Sequence, residues 1–195
     1  MATRKKTATT TSLRYTVPGM ERDDATKTVQ LLQERLNASI DLALTLKHIH
    51  WNVVGPHFIA VHEMLDPQVD AVRLMVDAIA ERIATLGVAP VGTPGALVKN
   101  RTWDDYSIGR DSAIAHLGAL DVVYVGVIEA HRKAAKDTEE LDDVTNDLLI
   151  GHLHELELFH WFVRAHLESA GGALTTGGSE TEKTSARKAS TKDVA

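Results

Sequence analysis

Leu32, Leu36, Ile40 and Leu44 recur every fourth residue. A stripe of that period fits one face of an α-helix. Asp23 or Asp24 can cap this helix, which then runs to about His50. Gly55 and Pro56 interrupt the pattern between Asn52 and His57. Val61, Leu65, Val72, Val76 and Ile83 define a second helix from about Phe58 to Leu86, closed by Gly87. Pro67 falls inside it, at the expected cost of a hydrogen bond and a kink. A stretch rich in Gly and Pro, Val88 to Thr102, comes next. Ile114, Leu117, Tyr124 and Ile128 mark a third helix from about Ile108 to Lys136, and Asp137 to Leu141 is a polar connector. Leu148, His152, Leu156, Phe159, Val163 and Leu167 mark a fourth from about Asp142 to Ser169, ended by Gly171 and Gly172. No segment alternates as a strand would. The expectation is an all-α four-helix bundle over residues 21–170, with a long crossover between the second and third helices. On pattern alone a generic bundle fits as well.

Charge is unevenly placed. Residues 1–20 hold Arg4, Lys5, Lys6 and Arg14 and no acid. Residues 171–195 hold Lys183, Arg187, Lys188 and Lys192 against Glu180, Glu182 and Asp193. The tails thus carry +4 and +1, and with a net charge of -6 the body carries -11. Basic ends rich in Ser and Thr on an acidic body read as flexible tails. They either solubilise or bind phosphates without sequence preference. Cysteine is absent, which excludes disulfides, thiolate catalysis and cysteine-bound metals. Arg4 to Lys6 are followed by no apolar segment, and no apolar run long enough to span a membrane is expected. These features fit a cytoplasmic protein.

The second helix also carries His62, Asp66, Asp77 and Glu81. At about 100° per residue they lie at about 0°, 40°, 60° and 100°, beside the apolar stripe. His62 and Asp66 are one turn apart and can reach one ion, as can Asp77 and Glu81. His50 at the end of the first helix can join them. Imidazole with several carboxylates suits iron or manganese better than structural zinc. Asp66 and Asp77, however, are separated by roughly 16 Å at about 1.5 Å per residue. They cannot bind one ion within one chain, but two such helices packed antiparallel about a two-fold axis can share one. Two other readings stay open here. The stripe can be a solvated acidic face, joined by Arg73. An intrabundle di-iron site would use Glu157 and His160, but Glu81 is followed at the matching position by Ala84, not histidine. Glu157 and His160 are then ordinary polar residues, and His152 a hydrogen-bonded core histidine. Neither an H-E-x-x-H motif nor a phosphate loop is present.

The run His50-Trp51-Asn52-Val53-Val54-Gly55-Pro56-His57-Phe58, then His62-Glu63-Met64-Leu65-Asp66, and then Asp77 and Glu81-Arg82 closely resembles the signature of the Dps family of small ferritin-like proteins. The likeness covers about residues 13–169 and is nearest to mycobacterial members. It implies ferritin-like connectivity and a ferroxidase centre of two iron ions shared between subunits. His50, His62, Asp66, Asp77 and Glu81 would be the ligands, with Trp51 beside them to pass an electron or absorb a radical. It further implies a hollow homododecamer that oxidises Fe(II) with hydrogen peroxide and stores ferric mineral. Iron would enter through acidic pores, for which Asp142 and Asp147 are the best candidates, with Glu139 nearby. Family members bind DNA non-specifically through mobile basic tails. Here Arg4, Lys5, Lys6, Lys183, Arg187, Lys188 and Lys192 would serve, giving a nucleoid-associated protein. A nucleoid-compacting structural protein with a vestigial metal site is the alternative.

Overall fold

The computed structural model describes residues 13, 15–169 and 171–192, and of Lys192 the backbone alone. Arg4, Lys5, Lys6 and Arg14 lie outside the described residues. The elements are α1 (Arg22–Asn52), β1 (Val53–Val54), α2 (Phe58–Thr85), α3 (Pro94–Asn100), β2 (Asp111–Ser112), α4 (Ala113–Thr138), α5 (Asp143–Leu167) and α6 (Glu182–Lys192). The four long helices stand where the apolar stripes put them. α2 runs unbroken through Pro67. Glu63, whose carbonyl loses its donor to the proline, is exposed, so water can serve it.

Connectivity follows from two sets of contacts. α2 packs back along α1 after the Gly55 turn, where φ is +95°. The crossover then retraces α1 from its start to its end. Gln33 exchanges two hydrogen bonds with the Val91 backbone, both at 3.0 Å. Asp41 takes Trp103 Nε1–H at 2.7 Å, and His48 Nε2 lies 3.0 Å from Ile108 O. The crossover ends where β2 pairs in parallel with β1, Val53 with Asp111 and Val54 with Ser112. α4 therefore starts beside the end of α1 and packs back along it, pointing the same way as α2, and α5 returns along α4. This is the ferritin-like order, up, down, down, up.

The main core cluster is contributed by all four long helices, including Leu32, Leu46, Leu65, Ile79, Leu117, Tyr124, Leu149 and Val163, and a small second one joins Ile108, Ala115 and Ala119 to Ala186 of α6. Tyr124 is fully buried and donates its hydroxyl proton to Gln68 Oε1 at 2.7 Å, fixing α4 to α2. Gly87 is needed on two counts. Its φ is +94°, and a Cβ there would sit 2.1 Å from Tyr15 O.

Three expectations are corrected. No strand was foreseen, yet β1 and β2 form a two-residue pair, too short to leave an alternating pattern. α4 is long and apolar enough to cross a membrane by length and composition, where no such run was expected. It packs against α1, α5 and α6, which is why a core helix passes that test. Third, residues 171–192 do not read as a flexible tail. Thr176 is buried, and α6 packs on α4 through Ser185, Ala186 and Ala189. Gly118 permits this approach, since a Cβ there would meet Ala189 Cβ at 2.8 Å and Ser185 O at 2.9 Å. Thr176 Oγ1 donates to Asp121 Oδ2 at 2.7 Å, and Asp121 Oδ1 lies 2.7 Å from His160 Nε2. Desolvation alone would raise the Asp121 carboxyl, but these two partners hold it below the usual carboxylate range. His160 is thus a partner of Asp121, in line with a packed polar role.

Candidate metal centre

α1 ends and α2 begins around one tight turn, and that brings His50 against His62. Their rings stack with centroids 3.6 Å apart. Each ring also hydrogen-bonds the other's backbone. His50 Nδ1 is 3.0 Å from His62 O, and His62 Nδ1 is 2.9 Å from His50 O. A carbonyl only accepts, so both Nδ1 atoms carry the proton. In the neutral rings each Nε2 then keeps its lone pair for a metal ion, with ring orientation already fixed. Nδ1 of His50 also lies 3.2 Å from Asp66 Oδ1. Phe58 packs against His62 at 4.9 Å between centroids.

Asp66 is the acid of this group. Lys47 Nζ donates to its Oδ1 at 2.6 Å. That hydrogen bond holds the Asp66 carboxyl below the usual range, outweighing its desolvation, and His50 adds to the effect. Lys47 was missed in the sequence, because it sits 19 residues before Asp66 and bears no motif.

Asp77 and Glu81 are placed otherwise. Both are exposed, further along α2. Among the described residues neither carboxylate has a hydrogen bond or ion pair, and no three His, Asp or Glu side chains converge as a cage within one chain. The chain therefore brings His50, His62 and Asp66 together and leaves Asp77 and Glu81 apart from them. Trp51 is 70% exposed beside His50.

The two pore candidates differ. Asp142 caps α5, accepting from Thr145 N at 3.0 Å and from the Thr145 hydroxyl, and it pairs with Arg82 Nη2 at 2.6 Å. Its burial would raise the carboxyl, but Thr145 and Arg82 hold it below the usual range. Asp147 and Glu139 are exposed. His152 is in the core as expected, but its Nδ1 has no partner among the described residues. Of the tail residues, Lys183 and Arg187 are exposed on α6, while Lys188 donates to Gly177 O at 3.0 Å.

The up-down-down-up bundle with a histidine pair at its first turn defines a ferritin-like protein, and a ferritin-like domain model matches residues 29–171. The DNA protection during starvation protein of Mycolicibacterium smegmatis is 61% identical over 180 residues, 92% of this chain and 98% of that protein. The solved Mycobacterium smegmatis Dps superposes with a TM-score of 0.85 at 62% identity, covering 87% of this chain and 97% of that one. DpsA14 from Streptomyces coelicolor superposes with a TM-score of 0.83 at 66% identity, covering 84% and 97%. The chain belongs to the Dps family.

Proposed function

We propose that this chain is the ferroxidase and iron-storage subunit of a hollow homododecamer that protects DNA. It oxidises ferrous iron with hydrogen peroxide at two-ion centres shared between subunits. One observation carries the reading: His50, His62 and Asp66 lie in contact, while Asp77 and Glu81 stand exposed and unpaired roughly 16 Å further along the same helix. A second copy of α2, antiparallel about a two-fold axis, would present its Asp77 and Glu81 to the first copy's His50, His62 and Asp66. Symmetry makes two such centres per dimer.

Ferrous iron is the substrate. The histidine Nε2 atoms hold geometry without adding charge, and the carboxylates favour the rise to ferric charge. Two Fe(II) ions give one electron each to one peroxide, whose O–O bond breaks. With two protons it leaves as two waters, and no hydroxyl radical is released. Trp51, exposed at the rim, can absorb a stray oxidising equivalent. Of the pore candidates, Asp147 with Glu139 is free to attract cations, whereas Asp142 is engaged in a cap and an ion pair. DNA is held without base readout by Arg4, Lys5 and Lys6 and by the α6 face of Lys183 and Arg187, multiplied over twelve copies. Such binding makes the protein cytoplasmic and nucleoid-associated. The names of the relatives, DNA protection during starvation, support this side of the reading.

Complementation tests the shared centre. Asp66→Ala and Glu81→Ala, each assembled alone, should lose peroxide-driven Fe(II) oxidation while keeping the mass of the assembly. Mixed at random in one shell, half the dimers pair one variant with the other. Each such dimer regains one intact centre, so roughly a quarter of wild-type centres return. No recovery on mixing would place the centre within one chain and refute the shared site. Full activity in either variant alone would refute the ligand assignment.

A further inference from the structure

A cavity of about 710 Å³ is walled by α1, α4, the crossover and the start of α6. Leu42, Val123 and Val127 line it from the helices, and Trp103 and Tyr106 from the crossover. Its inner wall is apolar and its mouth polar, a form that suits a small molecule with an apolar body and one polar end.

Two charged side chains of α1 reach it. Asp41 is neutralised, 3.4 Å from Arg101 Nη1 and accepting from Trp103 Nε1–H. Arg35 is not. It is 8% exposed, and its nearest carboxylate oxygen, on Glu34, is 4.0 Å away on a side chain 71% exposed. Its Nη1 is buried and has no hydrogen-bond partner among the described residues. Leaving a buried guanidinium without an acceptor is costly, so an occupant that supplies one is favoured.

Gly126 is the place where the cavity can be filled. It sits in the middle of α4, on the cavity wall, where glycine weakens a helix. Its φ is not positive, and a Cβ built there would meet nothing within 4 Å. Neither backbone nor packing requires glycine at this position. A larger side chain there would extend into the cavity.

We infer that this cavity binds an amphipathic monoanion: a carboxylate with an aliphatic or aromatic body, its head on Arg35 and its body between Trp103, Tyr106 and the Val123–Val127 wall. Asp104, Asp105, Glu180, Glu182 and Lys183 also line the cavity; Asp105 pairs with Arg101 at 2.5 Å and Glu182 accepts from Ser107, while Asp104 and Glu180 stand exposed. Their charge opposes polyanions at the mouth, which disfavours nucleotides and DNA and leaves a single negative charge as the best fit. The start of α6 forms one wall, held where Ser107 N and Oγ both donate to Glu182 Oε2 at 2.6 Å. An occupied cavity therefore steadies α6.

The test is titration calorimetry of the assembled full-length protein with sodium decanoate, and with decylamine as the same chain bearing a cation. Decanoate should bind saturably, one per subunit, and slow amide exchange in residues 180–192. Arg35→Met should weaken it by at least about tenfold, the scale of a lost charge-assisted hydrogen bond. Gly126→Phe, which fills the cavity and favours the helix, should abolish it. Decylamine should not bind there. Absence of saturable decanoate binding overturns the proposal, as does binding unchanged by Gly126→Phe, or decylamine binding as well as decanoate. A Gly126→Phe protein that no longer assembles would make the cavity a seam between copies, and that too overturns it.

Discussion

Acid should destabilise this protein through two histidines remote from the metal centre. His131 is fully buried between α1, α4 and α5, and His152 is 8% exposed next to it, with ring centroids 6.4 Å apart. Burial, with the Arg35 guanidinium and His152 adding to it, pushes His131 down to about 3. Burial pushes His152 down to about 4. Both stay neutral in the folded chain at pH 5, while in the unfolded chain each titrates near 6.5. The folded values lie below the unfolded ones. Stability is thus full above about pH 6.5 and falls as pH drops towards the folded values. At pH 5 the unfolded state gains about 2 kcal/mol per histidine, from RT ln(1 + 10^1.5), whatever the folded value below about 4. The pair therefore removes about 4 kcal/mol between pH 8 and pH 5. Urea unfolding at fixed protein concentration across that range measures it. His131→Gln and His152→Gln should each flatten the pH dependence by about 2 kcal/mol, even if their stability at pH 8 is lower. A variant with the wild-type slope would refute the claim that its histidine is buried neutral.

Gly118→Leu should expel α6 from α4, because even a Cβ there is too close to Ala189 and Ser185. Amide exchange in residues 182–192 should then become fast while Fe(II) oxidation is kept; retained protection would count against the docked helix. Arg82→Met should cost about 3 kcal/mol in urea unfolding at pH 7, since it strands the Asp142 carboxylate in a pair whose side chains are 13% and 11% exposed. A loss below about 1 kcal/mol would show that the pair is solvated. Deleting residues 171–195 should weaken DNA retardation at low salt and leave Fe(II) oxidation intact. Deleting residues 1–12, with three cations and no acid, should flatten the salt dependence by up to about 0.9 per lost phosphate contact. Unchanged retardation in both would remove the tails from DNA binding.

The parts of the fold that were legible are those written in apolar periodicity. α1 was expected from Asp23 or Asp24 to about His50 and runs Arg22–Asn52; α2 was expected to end at Leu86 and ends at Thr85. α4 starts later than Ile108 because Asp111 and Ser112 pair with β1, and the Ser112 hydroxyl caps the helix at Ala115 N. α6 was invisible for a physical reason. Its buried face is Ser185, Ala186 and Ala189, which carry almost no hydrophobic signal among lysines and threonines. That face has meaning only against Gly118, nearly 70 residues earlier in the chain. His152 was legible as a core residue from its place on the α5 stripe, but its unpartnered Nδ1 was not; His131, whose Nδ1 lies 3.2 Å from Val127 O in its own helix, stood on no stripe that marked it.

At the metal centre, residue types and spacing along α2 were legible, but the orientation of the rings was not. The reciprocal bonds between His50 and His62 join backbone to side chain across the Gly55 turn, and no periodicity within one helix encodes them. What the sequence did carry was an excess: more candidate ligands on α2 than one chain can bring to one ion. The structure shows that excess as exposed, unpaired carboxylates, and large apolar groups are exposed with them. Leu74, three residues before Asp77, is 71% exposed, and Leu44 on α1 is 60% exposed. Apolar side chains and free carboxylates together on one face of a helix pair are what a second subunit would bury and use. On the proposed shared centre, oxidation and assembly depend on the same surface, and a centre complete in isolation is not to be expected from this chain.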